Sequence, residues 1–100
     1  MTAMSFDAFQ TEHRRLVLLQ ALEGAVQYRA NAYLLRKFCD RLGHVVSSDR
    51  IAQDLAWLKE QGLLTLDAGE PAVATLTERG LDVATGRALV PGVQRPTPGG

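Results

Sequence analysis

Apolar residues recur at near-helical intervals through the first quarter of the chain, at Phe6, Phe9, Leu16, Leu19 and Leu22, with Glu12, Arg14, Arg15, Gln20 and Glu23 mainly elsewhere on the wheel. The spacing predicts a first helix that starts near Ser5 and ends before Gly24, with those five side chains as its buried stripe. Asp7 falls in the first turn, where the positive end of the helix dipole favours an acid. The period lapses over residues 24–30, which offer at most a very short extended piece around Val26 to Tyr28. Asn31 can cap a second helix in which Leu35, Phe38, Cys39 and Leu42 stand at i, i+3, i+4 and i+7 and form one continuous apolar face. Gly43 is its natural stop, because glycine enters the left-handed conformation without a steric cost.

A third helix is signalled by Ser47 or Ser48 as cap and Asp49 in the first turn, and runs to Gln61 before Gly62. Its inward stripe is Ile51, Leu55 and Leu58; Asp49, Gln53, Ala56 and Glu60 face the other way, with Arg50 and Trp57 along a flank. After Gly62 the period changes to 2, with Leu64 and Leu66 in one run and Val73 and Leu76 in the next, separated by the loop residues Ala68, Gly69, Glu70 and Pro71. Thr77 can cap a last helix from Glu78 to about Leu89, with Leu81 and Ala84 or Ala88 inward. The last ten residues, 91–100, hold three prolines and three glycines and no apolar period, which predicts a mobile tail beyond a domain of residues 1–90. The expected fold is therefore mainly α with a small β-hairpin: three core helices, a two-stranded hairpin and a C-terminal helix.

The junction between third helix and hairpin, Asp54-Leu-Ala-Trp-Leu-Lys-Glu-Gln-Gly-Leu-Leu64, resembles winged helix-turn-helix transcription regulators of the ArsR, MarR and PadR groups. Their recognition helix ends in a similar Leu-x-x-Leu-x-x-x-Gly-Leu pattern, matched here by Leu55, Leu58, Gly62 and Leu63. Leu76-Thr-Glu-Arg-Gly80, followed by Leu81 and Ala84, resembles the way such domains leave the second wing strand for a final helix. His13-Arg-Arg-Leu-Val, Asp54-Leu-Ala-Trp-Leu, Leu76-Thr-Glu-Arg-Gly-Leu-Asp-Val-Ala and Val90-Pro-Gly-Val are similar to a family of small proteins of Mu-like bacteriophages and prophages, commonly labelled ArsR-like regulators. The resemblance implies a winged helix with its helix-turn-helix near residues 31 to 61 and a recognition helix at about 48–61. It also implies double-stranded DNA as partner, transcription regulation as role and a homodimer as the working form.

A recognition helix reads base edges in the major groove with short polar or basic side chains near its N-terminus. Ser47, Ser48, Arg50 and Gln53 have that chemistry: Arg50 suits guanine, Gln53 suits adenine, and either serine suits a phosphate or serves as a cap. Arg36, Lys37, Arg41 and His44, on or just beyond the preceding helix, are placed for the DNA backbone, although basic residues on a solvated helix face need no such role. Trp57 is expected to pack against a neighbouring element or to meet a partner.

Charge cuts against this picture. Lys plus Arg number 11 and Asp plus Glu number 11, so no net charge draws the chain to nucleic acid. Asp67 and Glu70 flank the hairpin tip and no basic residue lies between Gly62 and Arg79, so DNA should repel the wing. The alternative is a winged-helix module that docks another protein, in phage assembly or host takeover. The single cysteine, Cys39, has no disulfide partner and sits on an apolar stripe; with His13 and His44 it forms no metal-ligand spacing. Neither a cofactor motif nor a catalytic constellation stands out, so no enzyme activity is expected. Without a spanning run or a leader-like start, the expected location is the cytoplasm.

Overall fold

The computed structural model describes residues 4–97. Its helices are α1 (Phe6–Glu23), α2 (Ala32–Arg41), α3 (Ser48–Glu60) and α4 (Glu78–Ala84), and its strands β1 (Arg29–Asn31), β2 (Leu64–Asp67) and β3 (Val73–Leu76). Each helix begins on a side-chain oxygen that accepts the amide three residues on: Ser5 from Ala8, Asn31 from Leu34, Ser47 from Arg50 and Thr77 from Gly80. Those four caps satisfy amides that would otherwise lack a partner at a helix start.

The strands form one antiparallel sheet in the order β1-β3-β2, with Ala74 of β3 facing Ala30 on one side and Leu66 on the other. The expected two-stranded hairpin thus gains a third strand. Val26–Tyr28 is a 3-10 turn, with Gln27 and Tyr28 at positive φ, and the extended residues are the next three. A strand this short has no period of its own to read; pairing with β3 makes it one.

α1 is the central helix, and its buried residues run from Arg14 to Leu22. Around it pack Leu35 and Cys39 of α2, Ile51, Leu55 and Leu58 of α3, Leu63, Leu64, Ala74 and Leu76 from the sheet region, and Val83 and Ala84 of α4. The apolar stripes predicted for α1 and α2 are only partly covered. Phe6 and Phe9 are 72% and 48% exposed, and Phe38 and Leu42 are about half exposed, whereas Val17 and Leu18 are buried. Periodicity ranks the faces of a helix but does not say how far along it a neighbour extends.

α4 ends at Ala84, short of the expected Leu89, and Gly86 at φ 87 turns the chain away. Its close seat depends on Gly80, where a Cβ would lie 1.9 Å from the carbonyl oxygen of Leu63. Thr77 fastens the same corner, its amide donating to Leu63 (3.1 Å) and its hydroxyl to the carbonyl of Gly62 (2.7 Å). Beyond α4, the expectation of an unattached tail does not fit residues 91–97. Val90 and Val93 are buried, and the Gln94 amide donates to the Glu12 carbonyl at 3.2 Å. Arg15 Nη1 donates to the carbonyl of Gly92 at 2.9 Å. Two valines at i and i+3 act as anchors that the Pro/Gly composition hides; residues 98–100 of the expected tail lie outside the described residues.

Candidate nucleic-acid interface

Two buried charges orient α3 on α1. Arg14 and Asp54, each 3% exposed, form a two-pronged ion pair: the guanidinium Nε donates to Asp54 Oδ2, and Nη2 donates to Oδ1 at 3.2 Å. This fork matches carboxylate geometry and fixes rotation as well as distance. In the sequence Arg14 reads as part of the polar side of α1; the two residues stand 40 apart, and no local pattern pairs them.

With Ile51, Asp54, Leu55 and Leu58 buried, α3 presents Ser48, Asp49, Arg50, Ala52, Gln53, Ala56, Lys59 and Glu60 to solvent. Ser47 is the cap: its Oγ accepts the Arg50 amide at 3.1 Å, which occupies one lone pair and leaves the hydroxyl hydrogen free to donate. Ser48, Arg50 and Gln53 are exposed within the first half of the helix. The entrance to this face is a shallow cleft of about 240 Å³ between the start of α1 and the start of α3, lined by Asp7, Gln10, Arg14, Val46, Ser47 and Arg50. Arg14 is committed to Asp54 there, so Arg50 is the cleft's available cation.

Of the α2 candidates, Lys37 and Arg41 are exposed and Arg36 is half-buried. Lys37 Nζ lies 5.5 Å above the Tyr33 ring, a cation–π contact that steadies the side chain without neutralising it. His44 is turned inward and is not on the exposed surface. It is 7% exposed and its Nε2 lies 2.7 Å from Nδ1 of His13, one ring donating and the other accepting. Burial first, then His13 and Arg14, hold the His44 imidazole below its ordinary pKa, which favours the neutral ring. The turn after Gly43 carries His44 inward because its amide donates back to the Cys39 carbonyl at 2.9 Å.

Trp57 is packed: the Arg15 guanidinium lies 3.9 Å from its ring centroid, and a Cβ at Gly92 would come within 2.8 Å of its ring. It ties α3 to α1 and to the C-terminal segment. The hairpin retains Asp67 and Glu70, both exposed, with Arg29 of β1 3.6 Å from Asp67. That pair offsets part of the negative charge locally. Cys39 is fully buried and its thiol is pushed up to about 11 by burial, which suits a packing residue and not a nucleophile. Among the described residues, no group of three or more His, Cys, Asp or Glu side chains is arranged to hold a metal ion, and no helix is long and apolar enough to cross a membrane.

These features define a small, mainly helical protein with a three-stranded antiparallel sheet and a polar outward face on α3. No family model matches the chain. It is 46% identical over 89 residues to an uncharacterized protein, gp26, of Escherichia phage Mu, a match covering 88% of this chain and 92% of that one. It is also 39% identical over 84 residues to an uncharacterized protein of Haemophilus influenzae, covering 82% and 81% of the two chains. The chain belongs to the family of small phage-type proteins that includes gp26 of phage Mu.

Proposed function

We infer that the protein is a winged-helix DNA-binding protein of phage type, a transcription regulator whose α3 enters the major groove. The element order α1-β1-α2-α3-β2-β3, with β3 central in the sheet, supports the winged-helix reading. The DNA reading rests on the outward face of α3, where Arg50 and Gln53 stand beside the small Ala52 and Ala56, which leave room for base edges to approach. Arg50 pairs with guanine, Gln53 with adenine, and Ser48 donates to a phosphate. Arg36, Lys37 and Arg41 supply phosphate contacts along α2; His44 makes none. The acidic hairpin stays off the duplex, so affinity is modest, and its salt dependence comes from the α2 cations and Arg50.

The test is a binding titration with fragments of the genome that encodes the protein, at two salt concentrations. Arg50→Ala should weaken specific binding by about 1–3 kcal/mol, or roughly 5- to 150-fold, without unfolding the protein. Folded wild-type protein that binds no fragment at low salt overturns the reading.

A further inference from the structure

The molecule exposes a second surface that DNA bound at α3 would leave uncovered. On α2, Leu34, Phe38 and Leu42 repeat every fourth residue and remain about half exposed. Between this ridge and α1 lies a groove of about 330 Å³, lined by Gln20, Ala21 and Gly24 of α1 and by Leu34, Leu35 and Phe38 of α2. At about 100° per residue, Phe6, Phe9 and His13 lie on the same side of α1 as Gln20. Their rings stack in series and end on His44, just past α2, which carries the track beyond the groove. An apolar face spanning two helices exceeds the scattered hydrophobics of an ordinary monomer surface.

The charges around the groove define what fits it. Among the described residues, its lining carries no charge. Two cations stand on its α2 rim. Arg41 lies seven residues past Leu34, about 20° round the helix, and Lys37 lies three past it, about 60° round. Both are exposed, and among the described residues neither is in an ion pair. The acids of these two helices lie elsewhere: Asp40 stands about 160° round α2 from Phe38, and Glu12 and Glu23 lie across the buried Leu16 from Gln20. Asp7 lines the cleft beside α3. The groove therefore combines an apolar floor with a basic rim that no acid of α1 or α2 offsets.

We propose that this groove docks an acidic amphipathic helix of another protein. Such a helix enters a groove with apolar anchors at i, i+3 or i+4 and i+7. Leu34, Phe38 and Leu42 receive the anchors, and carboxylates along the flank of the partner helix meet Lys37 and Arg41, which selects acidic partners over basic ones. Lys37 and Arg41 are common to this surface and the proposed DNA surface. Arg50 belongs to the DNA surface alone and Phe38 to the groove alone, so the two proposals can fail separately.

The test is fluorescence anisotropy with two labelled synthetic amphipathic helices of about 18 residues, or five turns, one built of Leu, Ala and Glu and the other of Leu, Ala and Lys. Each is titrated with the full chain, with circular dichroism as the check of folding and sedimentation equilibrium to follow self-association. Wild-type protein should bind the acidic helix at least about 10-fold more tightly than the basic one. Lys37→Glu with Arg41→Glu should reverse that order, and Arg50→Ala should leave it unchanged. Phe38→Ser, at a half-exposed position, should weaken binding of the acidic helix at least about 10-fold, and Leu34→Ser gives the same reading should the first variant unfold. No binding of the acidic helix, equal affinity for both helices, or binding that the Phe38 and Leu34 variants retain overturns the proposal. A wild-type dimer that Phe38→Ser dissociates overturns it too, because a second copy then fills the groove.

Discussion

α2 and α3 are consecutive helices packed on the same side of one core, yet each is unconventional in an opposite respect. α3 buries a carboxylate, Asp54, and shows solvent a polar face with Arg50 and Gln53. α2 buries only Leu35 and Cys39 and leaves Leu34, Phe38 and Leu42 about half exposed. A buried ion pair contributes little net stability over a well-packed apolar pair of similar volume, but it fixes geometry. The exposed half of such an apolar stripe likewise adds no burial to the monomer. One helix is held in a set orientation with a polar outside; the other leaves apolar area uncovered.

The strongest way to break this comparison is to remove the buried carboxylate. Asp54→Ala leaves the Arg14 guanidinium buried without its partner and should cost about 3–5 kcal/mol, read as a shift of the urea unfolding midpoint. Replacing both partners, Arg14→Met with Asp54→Leu, should recover most of that loss, because no uncompensated charge remains. A cost below about 1 kcal/mol for Asp54→Ala would mean that Ile51, Leu55 and Leu58 seat α3 unaided, and the contrast between the helices would lose its basis.

What the sequence made legible follows the same division. The caps at Ser5, Asn31, Ser47 and Thr77 and the turns at Gly43 and Gly62 were readable because each acts within a few residues. The outward face of α3 was readable because its inward stripe is regular. The Arg14–Asp54 pair joins positions 40 residues apart, and the His13–His44 contact joins positions 31 apart, so both escape any local pattern. His44 therefore read as a cation for DNA, whereas its ring is buried against His13. The wheel positions of Phe6 and Phe9 match the core; only the tertiary structure shows that α1's buried stretch starts at Arg14. β1 and the seating of Val93 escaped notice because three residues and a Pro/Gly-rich context carry no period.

A second, smaller effect tests the turn that joins the two helices. Their relative placement uses the His13–His44 contact, in which one ring must donate and the other accept, so a doubly protonated pair cannot keep it. The His44 pKa is held below its ordinary value by burial, His13 and Arg14. The unfolded chain therefore takes up this proton at a higher pH than the folded chain does, and in that window stability rises with pH. The contribution is complete above the ordinary histidine value of about 6.5 and is lost as pH falls through the lower folded value. Urea unfolding across that range should show wild-type stability declining toward acid, with a shallower decline in His44→Gln. Equal slopes for the two proteins would separate the turn from the histidine contact.

The smallest expected effect concerns Gln53, where fold and function should part. Its side chain is exposed on the middle of α3 and its helical neighbours on that face include Asp49, Ala52 and Ala56. Glutamine and alanine both favour helix, alanine by a few tenths of a kcal/mol, so Gln53→Ala should leave unfolding stability within about 0.5 kcal/mol of wild type or raise it slightly. The same change deletes the two-pronged amide offered to adenine, and binding to a preferred site should weaken by about 1–3 kcal/mol while binding to arbitrary duplex stays the same. A stability loss above about 1 kcal/mol would show that the polar face of α3 supports the fold, making it structural like the faces of any surface helix. Unchanged stability with selectively weakened binding would place Gln53 on a surface built for reading, opposite in kind to the apolar stripe of α2.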